Sequence, residues 1–350
     1  MITLLPSSAT AYIKDLLSSQ GNIVIISHIN PDGDALGSML ALNHYLKKQG
    51  HHVEMIVPND YPAFLNWMPG IRDVIIHKRT PAKSNQALSA ASVVFCLDFN
   101  ALKRLDTLEK NVRNRQAPKI LIDHHPDPEP DFDIVISQMD TSSTAELVYE
   151  IISDLGGHDD ITREMAECLY VGIITDTGSL SYSCNNEKTY LIVADLMRRG
   201  VDGEQIHTLV YDTNSEERMR LLGYCLSEKL KVLKEYHTAY IVLTKDELRR
   251  FKYQIGDSEG IVNYALSITG ISFACLIMER EKNIRLSFRS RGKFSVNDFA
   301  RKHFEGGGHQ NAAGGNSFLD LNETVKKFEE ILPLYKEELG MTMTLTATLK

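Results

Sequence analysis

The chain is poor in the features expected of a secreted, membrane-spanning or DNA-gripping protein. It has only five cysteines in 350 residues. These are Cys96, Cys168, Cys184, Cys225 and Cys275, and no two form a C-x-x-C pair. That spacing excludes a disulfide framework or a zinc ribbon, and Cys96, Cys168 and Cys275 read as small buried hydrophobes. No uncharged run is long enough to span a bilayer. Met1 to Pro6 carry no basic cluster, and Lys14 and Asp15 follow soon after, so no signal peptide is expected and the expected compartment is the cytoplasm. Basic residues are outnumbered, 38 Lys and Arg against 46 Asp and Glu, for a formal charge of −8. That balance argues against a protein that neutralises many phosphates of long duplex DNA, while leaving room for a short anionic substrate at one local site. The single tryptophan, Trp67, lies with Tyr61 in a Pro-punctuated loop and reads as packing rather than as a base-stacking platform. Internal repeats and low-complexity tracts are absent.

The chain does have an ordinary globular composition, 43% apolar and 24% charged, and enough length for two domains. In the first half, short β-rich runs alternate with helical patterns. Asn22–Ser27, His52–Val57, Val93–Leu97 and Lys119–Ile122 read as strands; Ala35–Gln49, closed by Gly50, and Ala101 to about Asn114 read as helices. This alternation predicts an α/β fold with a mostly parallel sheet flanked by helices. From Thr144 the pattern turns helical, with Ser143 or Thr144 as a cap, then helices over Ile161–Ile174 and Glu187–Arg199, and a charged periodic run from Ser215 to Lys234. A smaller α/β unit follows, with strands over Thr238–Leu243, Ile271–Glu279 and Asn283–Phe288 and helices over Val296–Phe304 and Asn322–Glu338. The expected organisation is a first domain over 1–210, a helical connector over 211–235, a second domain over 236–340 and a frayed or edge-pairing tail over 341–350.

The chemistry-bearing residues fall where such a sheet would gather them. His28, Asp32 and Asp34 follow the first strand, Asp98 follows Val93–Leu97, and Asp123-His124-His125 follows Ile120–Ile122. Ligands bind at the carboxyl ends of strands in open α/β sheets, so these residues converge on one crevice. Asp176 ends an apolar helix that can point it into the same cluster. Five carboxylates and three imidazoles so placed read as a two-metal phosphoesterase site. Each piece alone has a plainer reading: an acidic turn with Asp34 capping the next helix, a strand-ending Asp98, a satisfied pair of loop histidines. An aspartic-protease reading of Asp176-Thr177-Gly178 and Asp140-Thr141-Ser142 fails, because the copies are too close to head separate lobes. In the C-terminal unit, Gly306-Gly307-Gly308-His309 offers backbone N–H groups and an imidazole to an anion. Arg285, Arg289 and Arg291 share one face by alternation and offer a phosphate fork. His51-His52, after a glycine turn, reads as exposed.

In order, His-x-x-x-Asp-x-Asp, a strand-ending Asp, Asp-His-His-Pro, a later Asp and Gly-Gly-Gly-His-x-x-Ala-Ala-Gly resemble the DHH/DHHA1 phosphoesterases. The resemblance is to the oligoribonucleases (nanoRNases) and 3′-phosphoadenosine-5′-phosphate (pAp) phosphatases among them, and it covers about Ser8 to Leu339. It implies an N-terminal DHH domain, a helical connector and a C-terminal DHHA1 domain. It implies that His28, Asp32 and Asp98 bind one metal and Asp34, Asp98, His124 and Asp176 a second, with Asp98 bridging. Asp123 orients the neighbouring histidines, His125 sits beside the substrate phosphate, and Asp98, Asp123 and His125 count as the catalytic set. Arg289, Gly306, Gly307, Gly308 and His309 grip the substrate's other phosphate or nucleotide. Two divalent cations are implied, with Mn²⁺ favoured by mixed imidazole and carboxylate ligation and Mg²⁺ or Co²⁺ as alternatives. The implied reaction is in-line attack of a metal-activated water on phosphorus. The expected substrates are short oligoribonucleotides or adenosine bisphosphate; long duplex nucleic acid and membranes are not expected partners, and the helical connector offers a surface for a homodimer. Competing readings are a RecJ-like single-strand exonuclease, a linear-dinucleotide phosphodiesterase, an exopolyphosphatase or pyrophosphatase, and a non-catalytic nucleotide sensor. The Gly306 run counts against the pyrophosphatases, and the complete ligand set against the sensor.

Overall fold

The structure, a computed structural model, describes residues 7–347. The chain divides between Thr213 and Asn214 into two units. In the first, β1 (Asn22–Ser27), β2 (His52–Val57), β3 (Ile75–Ile76), β4 (Val93–Leu97), β5 (Lys119–Asp123) and β6 (Ile134–Ser137) form one sheet in the order β3-β2-β1-β4-β5-β6. All its neighbours run parallel. The helices are α1 (Ser7–Leu16), α2 (Gly33–Lys48), α3 (Pro81–Ala90), α4 (Glu109–Arg113), α5 (Thr144–Asp154), α6 (Arg163–Asp176), α7 (Glu187–Arg198) and α8 (Gly203–Tyr211). Alternate residues of β1, β4 and β5 serve opposite faces. Ile23, Ile25, Phe95, Leu97, Ile120 and Ile122 pack with α2, α5 and α6, while Val24, Ile26, Val94, Cys96 and Leu121 pack with Leu88, Leu102, Leu105 and Leu108. The strand order reverses between β1 and β4, the topological switch point at which open α/β sheets bind ligands.

Two glycines set the spacing of the central helices. A Cβ on Gly37 would meet the Cys168 carbonyl oxygen at 2.4 Å, and one on Gly172 would meet the Ala145 Cβ at 2.4 Å and Asp34 Oδ1 at 2.9 Å. Any side chain there would force α2, α5 and α6 apart.

The second unit contains β7 (Leu230–Leu233), β8 (Thr238–Leu243), β9 (Phe273–Glu279), β10 (Ile284–Ser290), β11 (Gly307–Gly308) and β12 (Ala312–Ser317), ordered β11-β12-β10-β9-β8-β7. Only β8 and β9 pair parallel. Its helices are α9 (Glu216–Tyr224), α10 (Lys245–Arg250), α11 (Ile261–Leu266), α12 (Val296–His303), α13 (Leu321–Ile331) and α14 (Lys336–Ala347). Phe273, Phe288, Phe294, Phe299 and Phe328 make its centre. The Phe273 ring centroid is 5.1 Å from those of Phe294 and Phe299 and 5.8 Å from that of Phe328.

The structure differs from the sequence reading in several elements. Ala101–Asn114 is not one helix: a 3₁₀ stretch over Leu102–Leu108, itself interrupted at Asp106 with φ +50°, precedes α4. Ser215–Lys234 is not a continuous connector either. Helix α9 passes into a wide turn over Cys225–Lys229, and Leu230–Leu233 becomes β7, paired antiparallel with β8. The predicted helix over Asn322–Glu338 breaks at Leu332–Tyr335, where Pro333 cannot donate to the helical ladder. Residues from Met341 continue α14 to Ala347, and the rest of the expected tail, 348–350, lies outside the described residues. His51, expected at the surface, is buried, with its ring accepting the Gly21 N–H. Among the described residues, no helix is long and apolar enough to cross a membrane.

Candidate metal centre

Three strand ends supply most of the cluster. His28 follows β1, Asp98 follows β4, and Asp123 ends β5 with His124 and His125 directly after it. Asp98 leaves its strand with φ +64° while its N–H still donates to the Ile122 carbonyl. A left-handed non-glycine backbone of this kind costs about 1–3 kcal/mol and tends to persist where function requires it. Asp32 is the N-cap of α2, accepting the N–H groups of Asp34 and Ala35, so the capping role read as an option for Asp34 belongs to Asp32. Asp34 is instead buried, and its two oxygens accept the Thr144 and Ala145 amides at 2.7 and 2.8 Å. It thereby caps α5 across 110 residues of sequence, where the helix macrodipole favours a negative charge.

The ligating atoms form overlapping sets, each within 4.8 Å: His28 with Asp32 and Asp98, Asp34 with His124 and Asp176, and Asp98 with Asp123 and His125. His28 Nδ1–H donates to the Ile29 carbonyl at 2.8 Å, so that Nε2 becomes a lone pair whenever the ring is neutral. Nε2 faces Asp98 Oδ2 at 3.3 Å and Asp32 Oδ2 at 4.0 Å. His124 Nε2 faces Asp98 Oδ1 at 3.5 Å, Asp176 Oδ2 at 3.5 Å and Asp34 Oδ2 at 3.8 Å. One nitrogen cannot satisfy three carboxylates by hydrogen bonding. Ligands about 2.1 Å from a common ion sit roughly 3.0–3.5 Å apart, close to the spacing seen here. With its donors alone, the cluster is electrostatically unbalanced. Burial, then Asp98 and Asp176, push the Asp34 carboxyl well up. Burial pulls His124 down, but Asp176, Asp98 and Asp34 outweigh it and raise the imidazole to about 10. A proton is thus drawn to the position a divalent cation would neutralise, and the donor set, carboxylate oxygens with imidazole nitrogens, fits such a cation.

Asp123 and His125 stand slightly apart. His125 Nδ1 bonds Asp123 Oδ1 at 2.7 Å, and both groups are buried. Burial and Asp98 push Asp123 up to about 7, and burial holds His125 well below its ordinary value. The His125 ring is therefore neutral and oriented by Asp123.

One residue was missed by the sequence reading. Thr144, fully buried, donates its hydroxyl to Asp98 Oδ1 at 2.9 Å and its amide to Asp34. By sequence it reads only as a cap, a role that Ser143 fills by accepting the Glu146 N–H. The available signal was the run Thr141-Ser142-Ser143-Thr144, more hydroxyls than one cap requires.

In the second unit Arg285 and Arg289 lie on one face of β10, and Arg291 lies beyond its end. Gly306–His309 is not an open glycine loop. Gly307 and Gly308 form the edge strand β11, Gly308 N–H donates to the buried Asn297 Oδ1 at 2.9 Å, and His309 N–H donates to Ala312. The glycines are needed because a Cβ on Gly306 would meet the Gly314 carbonyl oxygen at 2.1 Å.

Comparison with known proteins gives the chain's family. Residues 22–173 match the DHH family N-terminal domain and residues 235–339 the DHHA1 domain. The chain is 26% identical over 323 residues to the bifunctional oligoribonuclease and PAP phosphatase NrnA of Bacillus subtilis, covering 92% of this chain and 97% of that one. The crystal structure of an exopolyphosphatase-related protein from Bacteroides fragilis superimposes with a TM-score of 0.92 at 44% identity, covering 97% of this chain and 99% of that one. RecJ from Thermus thermophilus in complex with Mn²⁺ shares the fold, with a TM-score of 0.54 and 16% identity over 98% of this chain and 56% of that one. The chain belongs to the DHH family of phosphoesterases, with the family's N-terminal domain followed by a DHHA1 domain.

Proposed function

We propose that the chain is a two-metal phosphoesterase that hydrolyses short oligoribonucleotides to mononucleotides and removes the 3′-phosphate of 3′-phosphoadenosine 5′-phosphate. The observation that carries this reading is Asp98, whose Oδ2 faces His28 and whose Oδ1 faces His124, so that one carboxylate joins two donor sets. His28, Asp32 and Asp98 would hold one cation and Asp34, Asp98, His124 and Asp176 the other. Mixed imidazole and carboxylate donors favour Mn²⁺ over Mg²⁺, which prefers oxygen and retained waters. Such a pair supplies Lewis acidity and a water of lowered pKa. The side chains do the rest. Asp123 fixes the His125 ring, which is proposed to act on a phosphate oxygen or the leaving group. Arg289 and His309, with the Gly306–Gly308 edge beside them, are proposed to hold the substrate's other phosphate or nucleotide. The Bacillus subtilis relative carries both activities in its name, which favours this pair of substrates.

The test is a substrate panel in Mn²⁺ comprising di- to pentanucleotide RNA, adenosine bisphosphate, pyrophosphate and long single-stranded DNA. Release of mononucleotides from the shortest RNAs and of phosphate from adenosine bisphosphate is expected. Rapid cleavage of long DNA alone would replace the reading with a RecJ-like one, and binding of short RNA without turnover would make the protein a sensor.

A further inference from the structure

The first unit carries one cation beside the cluster that neither the motif order nor the donor sets employ. Arg104 lies in the 3₁₀ stretch Leu102–Leu108, six residues after Asp98. Leu102 and Leu105, on either side of it, are fully buried and pin the stretch to the sheet. The Arg104 carbonyl accepts the Ile29 N–H at 2.8 Å, which ties this segment to the residue after His28. The side chain is half-buried, and its charge acts on His28, Asp123 and His125 together. Arg79, Arg113, Arg163 and Arg199 each pair with a carboxylate, whereas among the described residues none within 4.0 Å pairs with Arg104. A guanidinium at the rim of an acidic site, without a carboxylate of its own, is poised for an external anion.

Charge balance gives that anion a reason to need it. Asp32, Asp34, Asp98, Asp123 and Asp176 are five carboxylates. With two divalent cations the ionised cluster still carries one negative charge, which would repel an entering phosphate. One guanidinium cancels it, and its planar fork matches two phosphate oxygens. We propose that Arg104 is a substrate-binding residue of the first unit that receives non-bridging oxygens of the phosphate being hydrolysed, on the side of the site occupied by His28 and His125. The inference rests on the phosphoesterase reading above. It adds a contact for the scissile phosphate itself, distinct from those proposed for Arg289 and His309.

The experiment compares wild type, Arg104→Gln, Arg104→Lys and Arg104→Ala, all loaded with Mn²⁺. It measures kcat and KM on adenosine bisphosphate, inorganic phosphate affinity by calorimetry, and Mn²⁺ stoichiometry. Arg104→Gln is expected to lower kcat/KM about 100-fold and to weaken phosphate binding at least about tenfold, with Mn²⁺ stoichiometry unchanged. Arg104→Lys recovers part of the loss, and millimolar guanidinium restores turnover to Arg104→Ala, a response a merely structural residue would not give. Wild-type constants and phosphate affinity in Arg104→Gln would overturn the proposal, as would a loss traced to missing Mn²⁺. A wild type that hydrolyses no phosphoester would sink the phosphoesterase reading instead, and the two phosphate affinities would then decide Arg104 separately.

Discussion

In the first unit an aliphatic core supports charges gathered at one end of a parallel sheet, whereas the second unit buries rings and leaves its arginines on a strand face. Four of the twelve phenylalanines precede residue 214 and eight follow it. The contrast follows from topology. A parallel sheet sends every strand in one direction, so β1, β4 and β5 deliver their following loops to one edge whatever apolar residues fill the core. The cost is a set of buried carboxylates that only cations can balance. The second unit is smaller and has a mixed sheet without a shared edge of that kind. It draws its stability from large rings at edge-to-face distances, each burying about 150–250 Å². Chemistry in the first unit is thus separable from its core, and stability in the second from its polar groups.

Two substitutions would test that separation hardest. Asp98→Ala removes the carboxylate shared by both donor sets, and turnover is expected to fall more than about 1,000-fold. Circular dichroism and the melting profile should stay near those of wild type, because the sheet faces are untouched. Substantial activity in a folded Asp98→Ala protein would refute the shared-carboxylate reading. Phe273→Ala reverses the pattern. It empties the centre of the aromatic cluster, with an expected loss of about 3–5 kcal/mol in the second unit's unfolding free energy. Calorimetric Mn²⁺ binding by the first unit should persist. If instead Phe273→Ala abolished Mn²⁺ binding, the two units would not be separable in this way.

The same contrast explains what could be read from the sequence. His28, Asp98, Asp123 and His124 were legible because each ends or directly follows a buried strand, and parallel topology fixes where such residues go. Asp176 was half legible: its place at the end of an apolar helix was plain, but its approach depends on Gly37 and Gly172 letting helices meet, a long-range fact with no local signature. Thr144 was hidden by its own local rule, since a hydroxyl before an apolar helix reads as a cap wherever it points. In the second unit β7 was lost inside a charged run that looks helical. Strand β11 was lost because consecutive glycines carry no β-pattern and pair only when β12 is already in place. Arg104 had no motif to mark it.

A finer probe of the polar side of the contrast is Thr144→Val. It keeps the shape of a fully buried side chain and deletes the hydroxyl that holds Asp98, leaving the amide on Asp34. Groups that orient metal ligands are typically worth about 10–100-fold in affinity. Mn²⁺ affinity measured by calorimetry should fall within that range, with Thr144→Ser close to wild type. Unchanged affinity in Thr144→Val would show that Asp98 is held by its neighbours without the hydroxyl.

The smallest expected effect tests whether any polar group matters to the second unit. Glu247 accepts Tyr224 Oη at 2.6 Å, Lys229 Nζ at 2.7 Å and the Thr244 N–H at 2.8 Å. Burial pushes its carboxyl up, but Lys229, the Thr244 amide and Tyr224 outweigh this and hold it down at about 2. A folded-state value below the unfolded one means the ionised group favours folding. That contribution is fully present above the ordinary glutamate value of 4.5 and is lost as pH falls from there toward about 2. Wild type should therefore lose stability over that window, and Glu247→Gln should lose less over the same window while starting lower at neutral pH. Parallel curves for the two proteins between pH 5 and pH 2, read by denaturant unfolding, would mean that Glu247 contributes nothing. The second unit would then rest on its aromatic core, with its capped helix end only a passenger.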